Sequence, residues 1–269
     1  MAPKPHPDPE ASSAGPASPT TTKTNSSDRY AVHMTLQHKG GAGKSFAANC
    51  IAQYYCSCGR TVRVVDADPS NKSLAAYKAL GVVPLDIMAP NNTVDSRKFD
   101  DMIDDIIRTE SDFVVDNGAT NYLPFMAYLV DNSVADVLAA HGRELVIHVP
   151  IVGAEAKMET LQGFDDIASN IGEKAQIVVW LNEAIKGVIT FDDKNFEDTK
   201  AYAEHKAQIT SIIRVPYHVS ELFAQDMDAL LTKKQTFAEA IKGTEFRLMA
   251  KQRLKQVQRE IFEQLALAI

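Results

Sequence analysis

Long apolar runs are missing. Nowhere do 18 consecutive apolar residues occur, so no transmembrane helix and no membrane insertion is expected. Cysteine is scarce, with Cys50, Cys56 and Cys58 as the only 3 in 269 residues. Their number and parity exclude a disulfide framework and point to a reducing compartment. Cys56-Ser57-Cys58 lacks the two-residue gap of zinc-binding pairs, and no second pair exists. No Gly-x-Ser-x-Gly nucleophile elbow is present. No period of 20–50 residues stands out, which excludes a solenoid. Positive charge is in deficit: 28 Lys and Arg against 35 Asp and Glu give a net charge of −7. That balance argues against a surface coated for nucleic acid, while leaving room for a local basic patch.

What is present is the composition of an ordinary globular chain, 45% hydrophobic and 23% charged. It is long enough for one large core. Six of the 12 prolines (Pro3, Pro5, Pro7, Pro9, Pro16 and Pro19) crowd the N-terminus, with Ser and Thr filling much of the rest to Ser27. Such a segment cannot bury enough apolar surface to offset its ordering entropy, and it lacks a signal peptide's apolar run. Residues 1–29 are therefore expected to be a disordered tail, and 30–269 a single domain.

From Tyr30 short apolar strands alternate with helical patterns. Strands are expected at Tyr30–Gln37, Thr61–Val65, Asp112–Asp116, Glu144–Val149, Gln176–Leu181 and Gln208–Ile213. Helices are expected at Lys44–Cys58, Ser96–Arg108, Tyr122–Ala140, Glu155–Ile171 and Phe196–Lys206, with a further one at the C-terminus. Gly59 is placed to stop the first helix. This alternation predicts an α/β fold with a doubly wound, mainly parallel sheet flanked by helices. Ligands bind such sheets at the carboxyl ends of the strands, so the residues that end each strand carry the functional reading.

After the first strand comes Gln37-His38-Lys39-Gly40-Gly41-Ala42-Gly43-Lys44-Ser45. Gly-Lys-Ser between a strand and a helix is the core of a P-loop. Glycines let backbone N–H groups converge on phosphate oxygens, and the helix presents its positive dipole end to the anion. The expected nucleotide-binding run is Gly40, Gly41, Ala42, Gly43, Lys44, Ser45 and Phe46. Lys44 is expected to reach the β- and γ-phosphates of ATP, and the Ser45 hydroxyl to ligate Mg²⁺. His38 stands where the usual pattern has glycine. Lys39 is a second cation beside the phosphates, or else a surface lysine.

Asp66 and Asp68 end the second strand, either as carboxylates for Mg²⁺ and an attacking water or as a capped turn with Asp68 at a helix N-terminus. Asp116 ends a buried strand in the manner of a Walker B carboxylate facing the metal. The loop Asn117–Thr120 after it would form a nucleotide switch. His33 and His148 lie in strands and read as packed residues.

Lys39-Gly-Gly-Ala-Gly-Lys44-Ser45 resembles the deviant Walker A box of the partition and cell-division-site ATPases, and Asp66-Ala67-Asp68-Pro69 matches that family's Asp-x-Asp-Pro. The resemblance implies that Lys39 crosses an ATP-bound homodimer to the partner's phosphates. It implies that Asp68 positions the hydrolytic water and Asp66 supports the metal shell. It places Asn182 at the adenine edge and Pro216 in a base-flanking loop. Tyr77-Lys78-Ala79-Leu80, Val115–Ala119, Glu144–His148 and Val179–Asn182 narrow the resemblance to a family of bacterial plasmid conjugal-transfer proteins. That family implies a cytoplasmic, ATPase-like accessory protein with other conjugation proteins as partners.

In the C-terminal helix Arg247, Lys251, Lys255 and Arg259 follow one another at intervals of four, with Arg253 nearby. They form a solvated face or a contact for DNA phosphates. Phe246, Ala250, Leu254, Val257, Ile261 and Leu265 form the stripe expected to dock on the domain.

Overall fold

The computed structural model describes residues 1, 30–68, 71, 73–89, 93–184 and 187–269. The expected tail, past Met1, and Pro69 lie outside the described residues.

β-Branched and aliphatic runs form β1 (Tyr30–Thr35), β2 (Val62–Asp66), β3 (Val83–Pro84), β4 (Asp112–Asp116), β5 (Arg143–Val152), β6 (Gln176–Asn182) and β7 (Ile209–Val215). All pair in parallel, in the order β3-β2-β4-β1-β5-β6-β7. The helices are α1 (Lys44–Ser57), α2 (Arg97–Arg108), α3 (Tyr122–Asp131), α4 (Val134–Ala140), α5 (Lys157–Asn170), α6 (Lys200–His205), α7 (Glu221–Thr232), α8 (Phe237–Lys242) and α9 (Leu248–Ala268).

Alternation along the strands divides the core into two layers. Val32, Met34, Phe113, Val115, Leu145, Ile147, Ile177 and Val179 face α2 to α6. Val64, Val114, Val146, Val178, Trp180 and Ile213 face α1 and α7 to α9. Both faces are covered, which is why the strands read as nearly continuous apolar runs. The fold is the doubly wound α/β architecture expected. Among the described residues no single helix is long and apolar enough to cross a membrane.

Four elements differ from expectation. The helix expected over Tyr122–Ala140 is two helices bent by 56°. Asn132 and Ser133, both poor helix formers, break it, and Ser133 adopts the left-handed conformation at φ 48°. α7, α8 and β3 had no expected counterpart. Thr236 and Glu239 form a capping box that starts α8. The first residue of the C-terminal basic row, Arg247, precedes α9 rather than lying in it. Gly59 stops α1 as expected, at φ +71°.

The α1 side of the sheet holds one buried polar chain. Trp180 Nε1–H donates to His148 Nδ1 at 2.9 Å. His148 must then carry its proton on Nε2, which donates to His33 Nδ1 at 2.9 Å. His33 in turn donates from Nε2 to the Tyr55 hydroxyl at 2.7 Å. The chain links β6, β5, β1 and α1, and it works only with both imidazoles neutral. Burial, aided by Arg60, holds His33 down at about 3. Burial, with His33 beside it, takes His148 well below its ordinary value.

Both groups are therefore neutral in the fold and titrate near pH 6.5 when unfolded. Their stabilisation is complete above pH 6.5 and is lost as pH falls below it, by about 1.4 kcal/mol per pH unit for each histidine. Urea denaturation at pH 7.5 and 5.5 measures this loss. The double variant His33→Phe, His148→Leu is expected to flatten the acid limb. An unchanged pH slope in that variant would assign the acid sensitivity elsewhere.

Candidate functional site

The parallel register brings the carboxyl ends of the central strands level. Thr35 of β1 and Asp66 of β2 both pair with Asp116 of β4. The loop between β1 and α1 runs over this edge. Gly41 and Gly43 take φ of +74° and +104°, which a side chain would strain. A Cβ at Gly43 would also lie 2.9 Å from Asn182 Nδ2, so the end of β6 abuts the loop. Lys44 Nζ donates to the Lys39 carbonyl at 3.1 Å. Lys44 is buried, and desolvation lowers its ammonium below the ordinary lysine value despite the opposing pull of Asp116 and Asp68.

Asp116 is the most constrained group of the site. Its side chain is 1% exposed, and burial pushes its carboxyl up to about 6, against the pull of hydrogen bonds from Ser45 and Thr35. The Thr35 hydroxyl donates to Asp116 Oδ1 at 2.9 Å. A buried carboxylate flanked by two hydroxyls is an oxygen-only donor set, which fits a hard divalent cation such as Mg²⁺.

Asp66 is placed differently from Asp116. Its Oδ1 accepts from the Asp68 N–H at 3.1 Å, and its Oδ2 accepts from Leu74 and Ala75 N–H at 3.1 and 2.9 Å. Burial raises its carboxyl in spite of these bonds. Three backbone donors make Asp66 the organiser of the loop that follows β2. Asp68, half-buried, accepts from the Asn71 N–H at 3.0 Å, and its carboxylate lies against Gly118. A Cβ on Gly118 would come within 2.5 Å of Asp68 Cγ, so only glycine permits this approach of the two loops.

Lys39 lies on the rim, 39% exposed, with its ammonium 2.8 Å from Glu159 of α5. His38 Nε2 stands 3.8 Å from the same carboxylate, and its ring packs 5.7 Å from that of Tyr122. Gln37 ties the loop to α5 and β5 by donating to the Thr160 and Pro150 carbonyls at 3.0 and 3.1 Å. Gly163, one helical turn after Glu159, leaves room for Gln37 and His38; a Cβ there would lie 2.7 Å from His38 Nδ1.

Beside the loop opens a cavity of about 480 Å³. Gly41, Gly43, Phe46, Asn182 and Pro216 line one part of it. The opposite wall comes from α7 and the loop before it, where the His218 and Phe223 rings stack with centroids 3.9 Å apart. Its apolar rings and single amide edge suit a planar heteroaromatic group.

Thr35, Gln37, Asn121, Glu159, Gly163, His218 and Phe223 were given no role from the sequence. Thr35 had a usable signal, since it ends the strand that carries the P-loop. The others become functional neighbours only through tertiary packing.

The basic row is not brought to this site. Lys251 donates to the Gly243 carbonyl, Arg253 pairs with Asp226, and Arg259 stands 3.9 Å from Glu263. Arg247 and Lys255 are exposed. All six residues of the apolar stripe are buried against the domain.

No family profile matches the chain. Among solved structures, the MinC:MinD cell division protein complex of Aquifex aeolicus covers 86% of this chain and 95% of that one, at 15% identity and TM-score 0.49. A plasmid partition protein of Borrelia burgdorferi bound to AMPPNP covers 90% of this chain and 100% of its own, at 13% identity and TM-score 0.48. Two Escherichia coli proteins named Protein TraL align over 234 residues, 87% of this chain and 96% of theirs, at 42% and 38% identity. The chain belongs to the TraL family.

Proposed function

We propose that this chain is an ATP-binding, Mg²⁺-dependent ATPase that switches between monomer and homodimer and serves plasmid conjugal transfer in the bacterial cytoplasm, with other conjugation proteins as partners. One observation carries the nucleotide reading. Lys44, Ser45, Asp116 and Asp68 converge at the ends of β1, β2 and β4, beside a cavity sized for a nucleoside. The transfer role rests on the TraL relationship.

In this reading the glycine N–H groups and the α1 dipole cradle the phosphates. Lys44 leaves the Lys39 carbonyl for the β- and γ-phosphates. Ser45 and Asp116 would hold Mg²⁺, which would supply charge neutralisation to the phosphates. Asp66 shapes the loop that presents Asp68 to the attacking water. Asn182, Pro216 and Phe46 bracket the adenine. A partition-type DNA-binding ATPase is the weaker reading, because Lys251 and Arg259 of the basic row already have partners within the chain.

Lys39 decides the switch. Its ion pair with Glu159 is half-exposed, of the kind worth about 0–1 kcal/mol, so a partner's triphosphate can displace it. Burial of that ammonium at a dimer interface would be costly without an anion to meet it, so dimerisation requires ATP.

Lys44→Ala is expected to weaken ATP binding at least 100-fold while melting within a few degrees of the parent, measured by fluorescent-nucleotide titration and circular dichroism. Undiminished affinity would reject the P-loop assignment.

Lys39→Ala is expected to keep monomeric ATP binding and to lose ATP-dependent dimerisation and turnover together. Glu159→Gln should dimerise at several-fold lower ATP. Sedimentation velocity across an ATP series reads both, and dimers that persist without Lys39 would reject the crossing model.

Asp116 gives a prediction of opposite sign for stability and activity. Its carboxyl is raised in the fold, so stability falls as pH rises from about 4 to about 6, and the full cost of the ionised form stands at higher pH. Asp116→Asn is expected to gain about 2–3 kcal/mol at pH 7.5 and to lose Mg²⁺-dependent turnover. Thermal melts and phosphate release test the two halves, and a destabilised variant would contradict the charge argument.

A further inference from the structure

α7 carries one charged side chain that the reading above leaves unused. Asp228 lines the cavity beside the P-loop, together with Phe223 and Met227 of the same helix. Its carboxylate forms no hydrogen bond or ion pair with the described residues. The other polar side chains lining the cavity are Asn182 and His218. Asn182 lies against Gly43, on the P-loop side. His218 is committed elsewhere, its ring stacked on Phe223 and its Nε2 3.2 Å from Glu260 Oε2 of α9. Among the described residues, Asp228 is therefore the one free oxygen acceptor on the α7 wall.

Its charge discriminates among ligands. A carboxylate repels a polyphosphate, so by itself Asp228 weakens the binding of every nucleotide alike. It favours only a ligand that brings an N–H or O–H to it. The order of parts in a nucleotide decides which one arrives there. The phosphates belong at Gly41 and Gly43, and the ribose, bonded to them, stays on that side. α7 forms the opposite wall, which the base alone reaches. Adenine presents a donor there in its 6-amino group, whereas a 6-oxo purine presents an acceptor at the same position. The donor meets the carboxylate, and the acceptor is repelled by it.

We propose that Asp228 is a specificity-determining residue that accepts a hydrogen bond from the 6-amino group of the base and so selects ATP over 6-oxo purine nucleotides. The inference rests on the nucleotide reading above and adds a contact from the far wall to those of Asn182 and Pro216. Asp228 is exposed, so water competes for both partners. Selection is therefore expected at about tenfold, not at the roughly 10⁴-fold of a sealed hydrogen-bonding site.

The test is isothermal titration of the full chain and of its Asp228→Ala variant with ATP, inosine triphosphate, guanosine triphosphate and inorganic tripolyphosphate, all with Mg²⁺. The parent is expected to bind ATP about tenfold tighter than inosine triphosphate. Asp228→Ala is expected to lose about tenfold in ATP affinity while holding or gaining affinity for inosine triphosphate and tripolyphosphate, so that the preference closes to within about threefold. A parent that binds ATP and inosine triphosphate alike overturns the inference while leaving the nucleotide reading intact. So does an unchanged ratio of the two in the variant. A gain for every ligand overturns it by leaving Asp228 as a source of repulsion only. An equal loss for ATP and inosine triphosphate, with tripolyphosphate unchanged, overturns it by placing the ribose hydroxyls at the carboxylate. Loss of tripolyphosphate as well makes Asp228 a structural residue and overturns it too. A parent that prefers guanosine triphosphate to ATP overturns it by assigning the carboxylate to the N1–H and 2-amino edge of guanine. A parent that binds none of the four overturns the nucleotide reading, and the inference with it.

Discussion

The chemistry of this molecule is organised around a negative charge held where water cannot reach it. Asp116 sits at the carboxyl end of β4, 1% exposed, with two hydroxyls and a partly desolvated lysine for company. Burial lifts its carboxyl to about 6, so at neutral pH the carboxylate is ionised at a cost to the fold. Lys44 is in the complementary position, a cation lowered by burial and parked on a backbone carbonyl. Each group carries its charge against desolvation. A divalent cation beside Asp116 and a polyanion beside Lys44 would relieve both, and the flanking cavity is of a size for a base. Titratable groups shifted by burial and by one another in this way are candidates for a functional site.

The loops that carry the other polar groups are tied to one another rather than left independent. Asp66 gathers three N–H groups of the loop after β2. Asn121 joins that loop, through the Ala67 carbonyl, to the loop after β4. Gln37 pins the P-loop to α5, and the same helix supplies Glu159 to Lys39. A phosphate that drew Lys44 away from Lys39 would act first on the P-loop and on α5, to which Gln37 and Lys39 tie it. Loops sharing hydrogen bonds in this way are suited to a switch, because few contacts must change for the rim to change.

The sequence disclosed the parts of this site whose logic is local. Gly43, Lys44 and Ser45 are neighbours in the chain, and a strand before and a helix after suffice to recognise them. Asp66, Asp68 and Asp116 were legible because each closes an apolar run, and parallel strands present those ends at one edge. The α/β fold followed from the same alternation. Asn121, Glu159 and Gly163 were not legible, since their partners lie tens of residues away and their residue types are ordinary. The base-side wall from α7 was missed with the helix itself, most of whose residues stay at least partly exposed. The break at Ser133 was missed because the apolar spacing resumes at Val134; the poor helix propensity of Asn132 and Ser133 was the signal available. In the basic row spacing aligned the members, but it did not disclose that Lys251 and Arg253 have partners within the chain.

The central claim is that the ends of β1, β2 and β4 form a site for a magnesium-bound nucleoside triphosphate. Isothermal titration of the full chain with ATP, with Mg²⁺ and then with EDTA, tests it most directly. The account predicts one ATP bound per chain, at least tenfold tighter with Mg²⁺, with AMP failing to compete. Absence of ATP binding, or affinity indifferent to both Mg²⁺ and the β- and γ-phosphates, would contradict it.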